Sequence, residues 1–161
     1  MLLLSALVLA AQQGPSAAVM TPAEVGAAMP AVVYFSGQSS TVQLRNAAGV
    51  RWEANRQTLF ALVDTGGYSS GLRDRYQFYL LTDVPIVVAG KNLGPGAYGG
   101  GFLEGPGLVV MDLGGNEIFH APYERDSDMK RPRPLQVEAG PVSGNFRLCL
   151  GRNCVALRRE R

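Results

Sequence analysis

One short stretch of the chain carries residue types that could do acid–base chemistry: Phe60-Ala61-Leu62-Val63-Asp64-Thr65-Gly66. A carboxylate at the end of an apolar strand stands on a rigid support. The Thr65 hydroxyl can fix the turn, and Gly66 lets the backbone close over it. Two such carboxylates facing each other share one proton, because adjacent like charges resist ionising together. The chain holds a single Asp-Thr-Gly, so that chemistry would need a second copy to supply the partner. Asp112 follows another apolar run, but Leu113 stands where the hydroxyl should be. Asp and Gly are also favoured in ordinary turns, which is the plain reading of residues 64–67.

Other chemistries lack their parts. The single histidine, His120, has no Gly-x-Ser-x-Gly elbow to work with and is read as a surface or edge residue. Cys149, Cys154 and His120 are too few to hold a metal, so neither metal nor cofactor is expected. Gly99-Gly100-Gly101 has no following lysine and helix to make a phosphate cradle. It reads instead as a strand that another backbone approaches closely. Asp126 and Asp128 fall in an aperiodic stretch, 123–134, that is a poor place to position an acid and a base. Lys130, Arg131 and Arg133 in the same stretch could form an anion-binding edge, with a solvated loop as the simpler reading. A formal charge of +2 argues against nucleic acid as a partner, and the basic residues Arg152, Arg158, Arg159 and Arg161 read as a solvated terminus.

The elements that must position these residues read as strands. From 76 to 122 the sequence is a series of strand-length apolar runs, YQFYLLT, VPIVVA, GAYGGGFL, GLVVMDL and NEIFHA, cut at AGKN, LGPG, EGPG and LGGN. Upstream, Val42 and Leu44 alternate with Gln43 and Arg45, then Val50 and Trp52 with Arg51 and Glu53. One face should be core and the other wet. The continuous run 59–63 should be buried on both faces. Twenty glycines and ten prolines in 161 residues suit short strands and tight turns, and the length suits one domain.

The first residues, MLLLSALVLAAQQGPSAA, have an apolar core too short to span a bilayer, followed by small residues. They read as a signal peptide over 1–18, cleaved after Ala10 or Ala18, although no Lys or Arg precedes the core. Thr21-Pro22-Ala23-Glu24 is a capping box with proline in the first turn, so 19–30 should hold a helix of about two turns. The single all-β domain is expected over 31–161. At its end, a two-residue turn at Gly151-Arg152 pairs Leu150 with Asn153 and Cys149 with Cys154. It also puts Phe146, Leu148, Val155 and Leu157 on one face. The cysteines then meet at a non-hydrogen-bonded pair, where a disulfide can form in an oxidising compartment.

Two resemblances add to this. Asp64-Thr65-Gly66 after two apolar residues, Gly99-Gly100-Gly101-Phe102 and Leu150-Gly151-Arg152-Asn153 resemble, in that order, the active-site turn, flap and second-half segment of retropepsin-type aspartic peptidases. That resemblance implies a homodimer with Asp64 catalytic and Thr65 orienting it, although Gly67 replaces the usual Ser or Ala. Residues 82–102 are similar to a T-D-V-x-I…G-K-x-L-x-x-G-x-Y segment of uncharacterised secreted bacterial β domains. They keep Thr82, Asp83, Val84, Ile86, Gly90, Lys91, Leu93, Gly96 and Tyr98, with one extra residue before the Gly-Lys turn. This likeness implies an exported β-sandwich or barrel and no particular activity.

The expectation is therefore a secreted or periplasmic all-β domain, an antiparallel sandwich or partly closed barrel of about ten short strands with one N-terminal helix. Its leading role is a non-enzymatic binding or structural module for a small ligand or a protein partner, with no transmembrane segment in the mature chain. The alternative is a homodimeric aspartic peptidase using Asp64, Thr65 and Gly66. A third reading, a ligand-carrying barrel, requires an apolar cavity lined by Tyr34, Phe35, Tyr76, Phe78, Tyr79, Tyr98 and Phe102.

Overall fold

A computed structural model describes residues 16–161, so all but the last three residues of the expected leader lie outside the described residues. The chain runs β1 (Ala18–Val19), α1 (Pro22–Ala28), β2 (Val32–Phe35), β3 (Gln38–Glu53), β4 (Arg56–Val63), α2 (Ser70–Arg75), β5 (Phe78–Thr82) and β6 (Ile86–Val88). It continues through β7 (Lys91–Leu93), β8 (Gly96–Leu103), β9 (Gly107–Met111), β10 (Glu117–Ala121), β11 (Glu124–Arg125), β12 (Gln136–Ala139), β13 (Asn145–Leu150) and β14 (Asn153–Arg159). All pairings are antiparallel and form two sheets. The larger has the order β1-β3-β4-β5-β8-β9-β10, with β2 added to β3. The smaller has the order β12-β13-β14-β6-β7, with β11 added to β14.

The turns follow from the residues placed in them. Ser36-Gly37 and Ala89-Gly90 have positive φ at both central positions (46° and 82°, 50° and 77°), the geometry whose twist matches two-residue hairpins. They join β2 to β3 and β6 to β7. The Gly151-Arg152 turn gives β13 and β14 the register read from sequence, with Cys149 opposite Cys154 and Phe146 opposite Leu157. The two sulfurs are bonded, and the Cα atoms lie 4.1 Å apart.

Two cores result. Between the sheets, Trp52, Phe60, Phe78, Leu80 and Leu108 of the larger sheet meet Ile86, Phe146, Leu148, Val155 and Leu157 of the smaller one. On the other face of the larger sheet, Leu59, Ala61, Val63 and Met111 pack under β2 and α1, which supply Phe35, Val33 and Val25. Strand β4 therefore feeds both cores, as the unbroken apolar run 59–63 requires. Helix α1 begins with the full capping box: the Thr21 amide donates to Glu24 Oε2 at 2.7 Å and the Glu24 amide to Thr21 Oγ1 at 3.3 Å. A buried hydroxyl relay crosses the first core. Trp52 Nε1 donates to Thr58 Oγ1, Thr58 to Thr82 Oγ1, and Thr82 to the Val84 carbonyl, each at 2.8 Å.

Several expectations are corrected. The alternation 42–53 belongs to one long strand, β3, with a register shift between Gln43 and Ala47. Leu44 lies within that bulge and is exposed although Val42 is buried, and beyond it the faces exchange, Val42 facing the second core and Val50 and Trp52 the first. There are fourteen strands among the described residues; β1, β7 and β11 are not read from the sequence because they are too short to show a period. A second helix, α2, follows the Asp-Thr-Gly turn, where Gly71 and the charged residues around it hide any helical stripe. No helix among the described residues is long and apolar enough to cross a membrane.

The glycines read as a flap are the interior of β8, paired on both sides to β5 and β9. A Cβ at Gly99 would lie 2.4 Å from the Phe35 ring, and one at Gly101 would lie 2.6 Å from the Arg75 carbonyl. They let neighbours press onto the strand, and none is free to fold over Asp64. The aromatic residues pack on one another: Phe35 stacks on Tyr76 with centroids 3.8 Å apart, and Phe78 lies 6.2 Å from Phe102. Tyr34 faces solvent at 58% exposure. The two sheets do not close into a barrel, and the buried rings divide between the two cores, Phe78 and Phe102 in the first and Phe35, Tyr76 and Tyr79 in the second.

Candidate functional site

Asp64 leaves the end of β4 with its amide still on the ladder, donating to the Thr41 carbonyl at 3.0 Å. Because Val42 pairs with Val63, residue 41 stands opposite residue 64, and Gln43 lies on the diagonal. That register decides the carboxylate's partners. Thr41 Oγ1 donates to Asp64 Oδ2 at 2.5 Å, and Gln43 Nε2 donates to Asp64 Oδ1 at 3.1 Å. Gln43 is itself held by Asn46, whose Nδ2 donates to Gln43 Oε1 at 2.8 Å. The Thr41 hydroxyl, then the Gln43 amide and the nearby Arg45 charge, hold the Asp64 carboxyl below the usual carboxylate range. The group is exposed and favours its ionised form.

Thr65 is half-buried and Gly66 exposed, and the Thr65 carbonyl accepts from the Tyr68 amide at 3.1 Å, closing the turn. Tyr68 is buried behind it, and its hydroxyl donates to the carbonyls of Phe35 and Gln38 at 3.1 and 3.2 Å. Residues 64–68 are thus tied to the β2–β3 hairpin. One side of this region opens into a cleft of about 390 Å³ between the sheets, lined by Gln43, Leu62, Thr65, Arg73, Gln77, Pro134 and Leu150 together with parts of Val63 and Tyr76. Leu62 comes from β4, Arg73 from α2, and Pro134 and Leu150 from the side of the smaller sheet.

Of the three residues read as a catalytic unit, Asp64 and Thr65 sit beside this cleft. Thr41, Gln43, Arg73 and Gln77 were missed. Thr41 and Gln43 are recognisable only once β3 is registered against β4, and Arg73 only once α2 exists. Asp112 closes its own turn, with Oδ1 accepting from the amides of Gly114 and Asn116 at 2.9 and 3.0 Å. His120 is an exposed edge residue whose Nδ1 lies 2.7 Å from Glu117 Oε1.

The charged stretch 123–134 is exposed but anchored. The Arg152 guanidinium donates to the carbonyls of Asp126, Ser127 and Met129. Arg147 pairs with Asp126 at 3.0 Å and with Glu138 at 2.6 Å. Among the described residues no group of three or more His, Cys, Asp or Glu is placed to hold a metal ion. The chain matches no protein-family model, and neither curated proteins nor solved structures give a match.

Proposed function

We propose that the protein is an exported, non-enzymatic binding module whose contact site is the cleft beside Asp64 and Thr65. The observation that carries this reading is an open cleft flanked by a carboxylate whose two oxygens are already occupied by Thr41 and Gln43 of the same chain. The Cys149–Cys154 disulfide and the apolar leader support export. Ala18 already pairs with Arg51 in the larger sheet, so cleavage after Ala10 would preserve β1 and cleavage after Ala18 would remove half of it. The resemblance of residues 82–102 to secreted bacterial β domains points the same way.

The test sets this reading against the peptidase. Purified protein is incubated with an unfolded polypeptide across about pH 3 to 7, beside the Asp64→Asn variant, and its mass in solution is measured by light scattering. A monomer without cleavage is expected. Acid-optimum cleavage by a dimer, lost in Asp64→Asn, would establish the peptidase and end the proposal.

A further inference from the structure

The polar groups around the cleft are not equally available. Gln43 is committed at both ends, to Asp64 and Asn46. Gln77 is committed too: its Nε2 donates to the carbonyls of Asp74 and Phe102, and its Oε1 accepts from the Phe102 amide. Two groups remain. The Thr65 hydroxyl and the Arg73 guanidinium have no hydrogen-bond or ion-pair partner among the described residues, and both line the cleft. The other arginine of the same helix, Arg75, is already paired to Glu117 at 3.1 Å. Leu62 and Leu150 are half-buried and Pro134 is exposed, so apolar surface is left beside a free cation.

We infer that this cleft binds a small organic monocarboxylate with an aliphatic body, the carboxylate at Arg73 and Thr65 and the aliphatic part against Leu62, Leu150 and Pro134. A guanidinium is always charged, and its planar fork matches a carboxylate with two parallel hydrogen bonds. Asp64, next to Thr65 in the chain, is held away from that role by Thr41 and Gln43. Its standing negative charge also disfavours phosphates and other multiply charged anions, which leaves a single charge as the fit. The volume sits near the lower end for small-molecule sites, so the ligand is small. The inference rests on the binding-module reading and specifies its ligand class.

The probe is N-acetyl-leucine, titrated into the full chain and followed by amide chemical shifts. N-acetyl-leucinamide is the neutral control. Saturable changes are expected around Leu62, Thr65, Arg73 and Leu150. Binding should weaken by roughly tenfold or more for the amide, and equally for Arg73→Gln with the acid. Lys91→Gln, which alters an exposed cation of β7 outside the cleft lining, should leave the affinity unchanged. Equal binding of acid and amide would overturn the role of Arg73. Saturable changes mapping elsewhere would remove this cleft while leaving a binding module in place, and no saturable change would overturn the inference outright. The proteolysis assay decides the wider reading separately.

Discussion

Asp64 shows how a residue's chemistry is set by what stands across the ladder. In sequence it is a carboxylate after an apolar strand; in the fold it is the cross-strand partner of Thr41. Because the folded carboxyl ionises more readily than the unfolded one, its contribution is whole above about pH 5 and is lost as pH falls below about 4. Glu24, Glu53, Asp112, Glu117 and Asp126 are shifted in the same direction, so the molecule should lose stability progressively in acid. Thr41→Val should move the Asp64 titration, followed by carboxyl carbon NMR, back toward the usual range. A wild-type Asp64 already titrating in that range would refute the assignment. Gly99 makes a second residue-scale point, since a methyl there would meet the Phe35 ring. Gly99→Ala should cost about 1–3 kcal/mol in denaturant unfolding, and a neutral result would show that the Phe35–Tyr76 stack can shift.

At the scale of elements, the stretch 123–134 reads as mobile because its composition has no period and mixes both charges. The structure anchors it from outside itself, through Arg152 in the turn between β13 and β14 and Arg147 in β13. The disulfide holds that same hairpin together, so the turn that presents Arg152 is covalently closed. Arg152→Ala should let the segment open roughly tenfold more often, since each hydrogen bond to a charged group contributes about 1.5 kcal/mol or more. Tryptic cleavage after Lys130, followed by mass spectrometry, reads this directly, the bonds after Arg131 and Arg133 being protected by proline. An unchanged cleavage rate would mean that the Arg147 pairs suffice.

For the whole molecule, the two cores share the larger sheet, and β4 inserts side chains into both. Phe60 belongs to the first core and Phe35 to the second, and both are fully buried. Phe60→Ala and Phe35→Ala should each cost about 3–5 kcal/mol. They should lower one common thermal transition, because neither core can lose its sheet while the other keeps it. Two separable transitions in either variant would show that α1 and β2 form an independent layer.

Strand existence, the capping box of α1, the burial of 59–63 on both faces and the pairing of Cys149 with Cys154 were legible in the sequence. Each is dictated by neighbours a few residues apart, through period-two alternation, a turn's φ angles or a two-residue hairpin register. The bulge that turns Leu44 outward, the placement of Gly99 under Phe35, and the union of Thr65, Arg73 and Leu150 around one cleft depend on strands far apart in the chain. Those features were decided by the pairing of β3 with β4 and the packing of one sheet on the other, because local periodicity carries no information about which distant strand becomes a neighbour.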